Sequence, residues 1–157
     1  MTKAKILIID DEEDIRESLS DIMKDEGFEV IVAENAVEAR DIKSKIRFDL
    51  ILLDIWMPDC DGISLLKQWA KDKEINCPVI MMTGHGTIDT AIEATKIGAF
   101  DFLEKPISLQ KLLKTISLAL KKSIHITKLD ISFITDVESP IIRILRQNLK
   151  DLKKENL

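Results

Sequence analysis

Short apolar runs alternate along the chain with longer segments that have helical spacing. The apolar runs cover residues 5–9, 28–32, 49–53, 78–82 and 101–103. The first, third and fourth are apolar without alternation, which is typical of parallel strands covered on both faces. The pattern therefore predicts five strands, of which these three lie inside the sheet.

The segments that follow the runs carry apolar residues every three or four positions, the spacing of one helix face. The five stripes are Ile15, Leu19, Ile22 and Met23; Val37, Ala39, Ile42 and Ile46; Ile63, Leu66, Trp69 and Ala70; Ile88, Ala91, Ile92 and Thr95; and Leu109, Leu112, Leu113, Ile116 and Leu120. Strand–helix alternation of this kind predicts right-handed crossovers and a doubly wound parallel α/β sheet.

The pattern changes after about residue 122, where no clear period follows. Ser139 and Pro140 then resemble a helix N-cap and a proline at the first helical position. A further apolar stripe follows at Ile141, Leu145, Leu149 and Leu152. We therefore predict a domain over residues 1–122, a linker over 123–139 and a helical segment over 140–157.

Composition and charge narrow the class of protein. Hydrophobic residues make up 45% of the chain and charged residues 32%, values typical of a soluble domain with a real core. The net charge of −5 argues against general nucleic-acid binding. No apolar stretch is long enough to span a membrane, and the first residues do not resemble a signal peptide. Cys60 and Cys77 are isolated, as in a cytoplasmic protein with reduced thiols.

Reactive side chains follow the predicted strands. Asp10 and Asp11 follow the first run, Asp54 the third, Thr83 the fourth, and Lys105 comes shortly after the fifth. In an open α/β sheet, ligands bind beyond the carboxyl ends of the strands. Each residue alone has an ordinary explanation, such as acids favoured at a helix start. Together they predict one site at one edge of the sheet.

These residue types suit phosphoryl transfer. Crowded carboxylates repel each other unless a cation neutralises them, and oxygen ligands suit Mg²⁺. Asp10 and Asp11 would hold the metal, which leaves Asp54 to attack phosphorus as a nucleophile. Lys105 would supply positive charge to the transferring group, and the Thr83 hydroxyl would act as a hydrogen-bond donor.

At these residues the sequence resembles the receiver domains of two-component response regulators, over roughly residues 4–122. The matching stretches are IIDDEEDI (8–15), LILLDIWMPDCDGI (50–63), VIMMTGHG (79–86) and GAFDFLEKP (98–106). The resemblance implies a flavodoxin-like fold with strand order 2-1-3-4-5 and five flanking helices. It also implies a signalling domain that assists its own phosphorylation and dephosphorylation, and not an enzyme with a separate substrate.

The resemblance assigns roles at the strand ends. Asp54 would accept the phosphoryl group from a sensor histidine kinase. Asp10 and Asp11 would bind or orient Mg²⁺, together with Asp54 and the backbone carbonyl of Trp56.

It also implies a switch in which Thr83 is the hydroxyl that responds to the phosphoryl group and Lys105 binds it. Phe102 is the aromatic residue whose rotamer follows. The expected output surface is the fourth helix, fifth strand and fifth helix.

The stretch TGHGTIDTAIEATKIGAFDFLEKP is similar to nitrogen-regulation regulators of the NtrC/NtrX type. In that subfamily a receiver precedes an ATPase that activates σ54-dependent transcription, and a DNA-binding domain follows. The resemblance therefore predicts a fragment of a longer regulator, with residues 140–157 as the start of the ATPase. σ54-RNA polymerase and DNA would be reached only through the later domains, and a homodimer is expected.

Three other functions share features with this sequence. An aspartate-dependent phosphohydrolase usually needs a second aspartate two positions after its nucleophile, and Trp56 stands there. A P-loop NTPase needs its glycine-rich lysine motif, which the sequence lacks. The remaining alternative is an interaction module of receiver fold that works without phosphorylation, and labelling by a small phosphodonor would distinguish it.

Overall fold

The computed structural model describes residues 3–84 and 88–124, which form a parallel sheet between two helical layers. The strands are β1 Lys5–Ile9, β2 Glu29–Ala33, β3 Leu50–Asp54, β4 Val79–Thr83 and β5 Asp101–Glu104. The helices are α1 Glu13–Asp25, α2 Ala36–Lys45, α3 Gly62–Lys71, α4 Ile88–Ile97 and α5 Leu109–Ile124. The strand order is β2-β1-β3-β4-β5, and all neighbouring strands are parallel. The predicted fold and strand order are confirmed.

Three strands lie one residue later in the chain than the apolar pattern predicts: β2, β3 and β4. In β3 and β4 the hydrogen-bond ladder continues past the last apolar residue to Asp54 and Thr83, whereas β2 ends at the buried Ala33. The Ile55 N–H donates to the Met82 carbonyl oxygen at 2.9 Å, so Asp54 stays within the sheet. Asp54 and Thr83 are therefore the last residues of their strands, which gives both a rigid backbone.

Alternation along the strands divides the core into two layers, one on each face of the sheet. The α1/α5 face is built from Ile6, Ile8, Leu50, Leu52, Ile80 and Met82 with Leu19, Met23, Leu112 and Ile116 of the covering helices. The α2/α3/α4 face is built from Leu7, Ile9, Leu53 and Met81 with Ala36, Leu66, Trp69 and Ala94. Burial of each large aliphatic side chain contributes roughly 1.5–3 kcal/mol. Both faces are filled, which leaves the carboxyl edge of the sheet as the place for polar groups.

Two helices at that edge begin with side-chain caps. The Asn35 side chain accepts a hydrogen bond from Glu38 N at 2.8 Å at the start of α2. The Asp61 side chain accepts one from Ser64 N at 2.7 Å at the start of α3. Both caps satisfy backbone donors that the first helical turn leaves free. They define where the loops at this edge end.

The predicted organisation after residue 122 lies almost wholly outside the described residues. Helix α5 continues through Ile124, two residues into the predicted linker 123–139. The rest of that linker and the predicted helical segment 140–157 are not among the described residues. Within the part of the chain that is described, no helix is both long and apolar enough to cross a membrane.

Candidate functional site

Strand alternation places Asp10 and Asp54 side by side. Asp54 lies two positions after Leu52, and Asp10 lies two positions after Ile8, the register partner of Leu52. Both carboxylates therefore continue the α1/α5 face at the ends of adjacent strands. Asp10 is fully buried and Asp54 is 2% exposed. Two buried carboxylates this close need a cation.

Lys105 supplies that positive charge. Its Nζ lies 2.8 Å from Asp10 Oδ2, 3.4 Å from Asp54 Oδ1 and 3.6 Å from Glu12 Oε1. The backbone of Lys105 is held because its N–H donates to the Thr83 carbonyl oxygen at 2.7 Å. We call these four side chains (Asp10, Glu12, Asp54 and Lys105) the acid–lysine cluster. The structure thus brings Asp10, Asp54 and Lys105 together at this edge of the sheet.

Further contacts orient Asp10. Its Oδ1 accepts a hydrogen bond from Glu12 N at 2.9 Å, which leaves Oδ2 facing Lys105. The Arg16 guanidinium donates to the Asp10 carbonyl oxygen at 2.8 Å. Arg16 was not predicted from the sequence, because nothing in its helical spacing marks it as a partner of the strand end. Asp10 is therefore held by its own loop and by α1.

The excess of negative charge in the acid–lysine cluster favours the binding of protons and cations. Burial and the charge of Asp10 raise the pKa of Asp54 to about 7, although Lys105 acts to lower it. Burial acts to lower the pKa of Lys105, but the neighbouring carboxylates raise it above its ordinary value, Asp10 most of all. Carboxylates thus outnumber the one ammonium group that contacts them. An added cation would relieve this imbalance.

Three carboxylates lie close enough to share a metal ion: Asp10, Asp11 and Glu12. One oxygen from each lies within 4.8 Å of the others, and Asp11 and Glu12 are exposed. These hard oxygen donors fit Mg²⁺, and the fully buried Asp10 beside Asp54 adds negative charge that such an ion neutralises. Glu12 was missed from the sequence because its acid run also suits an ordinary helix start. Its position next to Asp11 was the available signal.

Thr83 and Phe102 lie on the other face of the sheet. Thr83 is two positions after Met81, whose register partner on β5 is Phe102. Thr83 is 2% exposed, and within residues 3–84 and 88–124 its hydroxyl has no hydrogen-bond partner. Phe102 is half-buried and packs against the α2/α3/α4 core. The two residues are neighbours in the sheet, outside the acid–lysine cluster.

Comparison with known proteins identifies the family. Residues 6–117 match the response regulator receiver domain. The chain belongs to this family. The chain is 40% identical over 144 residues to a putative NtrX-like response regulator of Rickettsia bellii, covering 90% of this chain and 29% of the relative. It is 37% identical over 155 residues to the response regulator protein PilR of Pseudomonas aeruginosa, covering 98% of this chain and 35% of PilR. The chain thus spans about a third of the length of these relatives.

Solved receiver structures are similar as well. The receiver domain of the Francisella response regulator 1452 has a TM-score of 0.73 at 31% identity, with 77% of this chain and 99% of that chain covered. The beryllofluoride-activated NtrC4 receiver domain dimer has a TM-score of 0.70 at 42% identity, with 76% and 98% covered. The protein is therefore a receiver domain of a two-component response regulator, related to NtrC-type regulators.

The β3–α3 loop of the receiver (residues 55–61) leads from Asp54 to the start of α3. Trp56 is in this loop, and its side chain is 58% exposed. The loop closes through a hydrogen bond from Gly62 N to the Ile55 carbonyl oxygen at 2.6 Å. Trp56 therefore lies two residues from Asp54 in a short, closed loop, and its proposed role as a carbonyl ligand remains a prediction.

Proposed function

We propose that Asp54 of this receiver accepts a phosphoryl group from the phosphohistidine of a sensor histidine kinase. The observation that carries the proposal is the ion-pair contact of one ammonium group, Lys105 Nζ, with both Asp10 and Asp54. A purely structural ion pair would need one carboxylate. Here one ammonium group faces two carboxylates, which leaves an excess of negative charge at a strand end. Strand ends of open α/β sheets are where ligands bind.

The step is a displacement at phosphorus. An oxygen of ionised Asp54 forms a bond to phosphorus while the bond from phosphorus to the imidazole nitrogen breaks. The nitrogen leaves with the electron pair, and the product is an acyl phosphate on Asp54. Lys105 Nζ lies 3.4 Å from Asp54 Oδ1, so its positive charge can stabilise the negative charge on the phosphoryl oxygens during transfer. The chain is therefore the phosphoacceptor, and the kinase phosphohistidine is the donor.

We further propose Mg²⁺ as the cofactor, with Asp10, Asp11, Asp54 and the Trp56 carbonyl as its protein ligands. When bound, Mg²⁺ supplies positive charge next to the phosphoryl oxygens. The excess of carboxylates over ammonium groups at the cluster supports this proposal. Asp10 is held in place by its bond from Glu12 N, so its second carboxylate oxygen, which contacts Lys105, faces the site.

The proposed switch runs from Thr83 to Phe102. A phosphoryl oxygen on Asp54 would accept a hydrogen bond from Thr83, whose hydroxyl has no partner in the described residues. Movement of Thr83 would change the packing of Phe102 on the same face of the sheet. The output surface is then α4, β5 and α5, with Lys105 binding the phosphoryl group from the other side.

For the whole protein we propose a cytoplasmic regulator of σ54-dependent, nitrogen-related transcription that acts as a homodimer. The names NtrX-like and PilR of its relatives support the σ54 class, and the similar NtrC4 receiver is a dimer. Residues 123–139 would link the receiver to a helical segment at 140–157 that begins an ATPase domain. Contact with σ54-RNA polymerase and DNA would come through those later domains.

Labelling with a small phosphodonor tests the core of the proposal. The wild type is expected to be labelled only with Mg²⁺, and Asp54→Asn is expected to abolish labelling without unfolding the protein. Asp49→Asn is the matched control, because Asp49 precedes the same strand and accepts a hydrogen bond from Lys5 N at the opposite edge. Acid-stable labelling of Asp54→Asn equal to wild type would contradict the proposal. A wild type that is never labelled would instead favour a phosphorylation-independent interaction module.

A further inference from the structure

The β3–α3 loop is tied to a helix that is distant in sequence. Asp59 Oδ2 accepts hydrogen bonds from Ala36 N at 3.0 Å and from Val37 N at 3.2 Å, the first two residues of α2. Asn35, the residue before them, caps the same helix by accepting a bond from Glu38 N at 2.8 Å. The first turn of α2 therefore has two caps, one local and one from the loop that follows Asp54.

The charge of Asp59 suits this position. Burial acts to raise its pKa, but the backbone N–H groups of Ala36 and Val37 lower it below the ordinary value. Asp59 is thus a carboxylate at neutral pH. A carboxylate at a helix N-terminus also interacts favourably with the helix dipole. Both effects favour the bound arrangement of the loop over a free one.

The rest of the loop has anchors of its own near the sheet and near α3. Gly62 N donates to the Ile55 carbonyl oxygen at 2.6 Å, and Asp61 caps α3 through Ser64 N at 2.7 Å. Met57 is buried, whereas Trp56 is exposed. Asp59 is the described loop residue that joins this segment to α2, so its bonds restrain the part of the loop between Trp56 and Asp61.

We propose that Asp59 is a positioning residue, which ties the β3–α3 loop to α2 and thereby holds the Trp56 carbonyl where it can bind the cation. The inference rests on the proposed function, because it assumes that this carbonyl is a metal ligand. Asp59 itself would not touch the metal. Residues that orient metal ligands commonly change metal affinity when they are removed.

Asp59→Ala and Asn35→Ala form a matched pair. Each removes a side-chain cap from the start of α2, so both are expected to lower the melting temperature to a similar degree. Only Asp59→Ala also releases the loop. We expect Asp59→Ala to weaken Mg²⁺ binding by about tenfold, the low end for a lost orienting group. Asn35→Ala should stay close to wild type, and Asp59→Asn, which keeps one acceptor oxygen, should be intermediate.

Two readouts on the full chain decide the matter. Mg²⁺ titration followed by tryptophan fluorescence measures the affinity, and acrylamide quenching without metal measures how freely Trp56 is reached. Trp69 is 2% exposed, so quenching reports mainly on Trp56. Weaker Mg²⁺ binding and stronger quenching in Asp59→Ala, with neither in Asn35→Ala, would support the proposal. Equal effects of the two variants, or unchanged Mg²⁺ binding in Asp59→Ala, would overturn it.

Failure of the proposed function has a different signature. A wild type that bound no Mg²⁺ would show that the proposed metal site is wrong, and with it the purpose assigned to Asp59. The quenching measurement would still report separately on the tie between the loop and α2.

Discussion

Asp54 and Gly62 are in direct backbone contact at the start of α3. A Cβ atom added at Gly62 would overlap the Asp54 carbonyl oxygen, and it would lie 2.9 Å from the Asp54 carbonyl carbon and 3.1 Å from Ile55 Cα. The obstacle is backbone, which cannot rotate away as a flexible side chain can. The helix can begin this close to the proposed phosphoacceptor only because residue 62 has no side chain.

Gly62→Ala is therefore expected to displace α3 or the end of β3. Overpacking of this kind costs about 1–3 kcal/mol, and urea denaturation would measure the loss. Phosphodonor labelling of Asp54 should fall at the same time because its carboxylate moves. Gly84→Ala is the control for stability, since a Cβ there meets no described atom within 4 Å. A fully stable, fully labelled Gly62→Ala protein would contradict the contact.

The raised pKa of Asp54 predicts how stability depends on pH. Its folded-state pKa of about 7 lies above the ordinary value of 3.8, so the folded protein retains a proton that the unfolded chain has lost. This contribution to stability is fully present below 3.8 and is lost as the pH rises through 7. Asp54→Asn removes the titration. It should match the wild type in acid and be more stable by about 1–3 kcal/mol near pH 8.

Urea denaturation in EDTA at several pH values measures this difference, because chelation keeps a metal from neutralising the carboxylates. A constant difference between Asp54→Asn and wild type across the range would show that Asp54 titrates normally.

Replacement of Lys105 tests the charge balance from the other side. Lys105→Met leaves the buried carboxylates of Asp10 and Asp54 without their cation, and loss of one partner from a buried pair costs roughly 3–5 kcal/mol. The cost of Lys105→Met should be smaller in a protein that also carries Asp54→Asn, because only the Asp10 carboxylate is then left buried without its cation. Lys111→Met, at an exposed position of α5, should be nearly neutral. Additive effects of the two cluster variants would argue that Lys105 and Asp54 do not interact.

Thr83 is expected to limit stability in the unphosphorylated state. Thr83→Val removes a buried hydroxyl without a described partner and should raise stability by about 0.5–2 kcal/mol. Thr115→Val is the matched control: that buried hydroxyl donates to the Lys111 carbonyl oxygen at 2.7 Å, so its loss should destabilise the protein. In the proposed switch, Thr83→Val should also abolish the NMR shifts that phosphorylation causes in α4, β5 and α5. Shifts equal to wild type would remove Thr83 from the switch.

The segment 140–157 predicts association. It has five basic and two acidic residues, a net charge of +3, so the rest of the chain carries −8. Its apolar stripe is too short to be stable as an isolated helix. It should therefore dock on its own acidic receiver, on the same helix of a second chain, or on an ATPase domain. We expect the 157-residue chain to sediment as a dimer and a fragment ending at Ser123 as a monomer. Equal monomer masses, with fast amide exchange in residues 140–157, would rule out the dimer and favour docking on an ATPase domain.

Most of the fold and the core of the site could be predicted because they depend on local pattern. Apolar runs and helical stripes reflect which face each element buries, and this does not require knowledge of its neighbours. Parallel strands bring their carboxyl ends to one edge, so recognition of the strands placed Asp10, Asp54 and Lys105 at the same edge of the sheet. The same reasoning placed Thr83 at this edge, although its hydroxyl lies outside the acid–lysine cluster.

Tertiary structure alone decided the contacts that join separate loops. The sequence offers several acids near the site, and nothing in their spacing shows that Glu12 contacts Lys105 or that Asp59 caps α2. Such contacts depend on differences of about an ångström in how the loops and helices are placed, because ion pairs and hydrogen bonds act over short distances. The need for glycine at position 62 likewise becomes clear only from the structure, in which the start of α3 contacts the carbonyl of Asp54. Hydrophobic periodicity determined the elements and the edge at which they act, and three-dimensional packing determined which polar groups meet there.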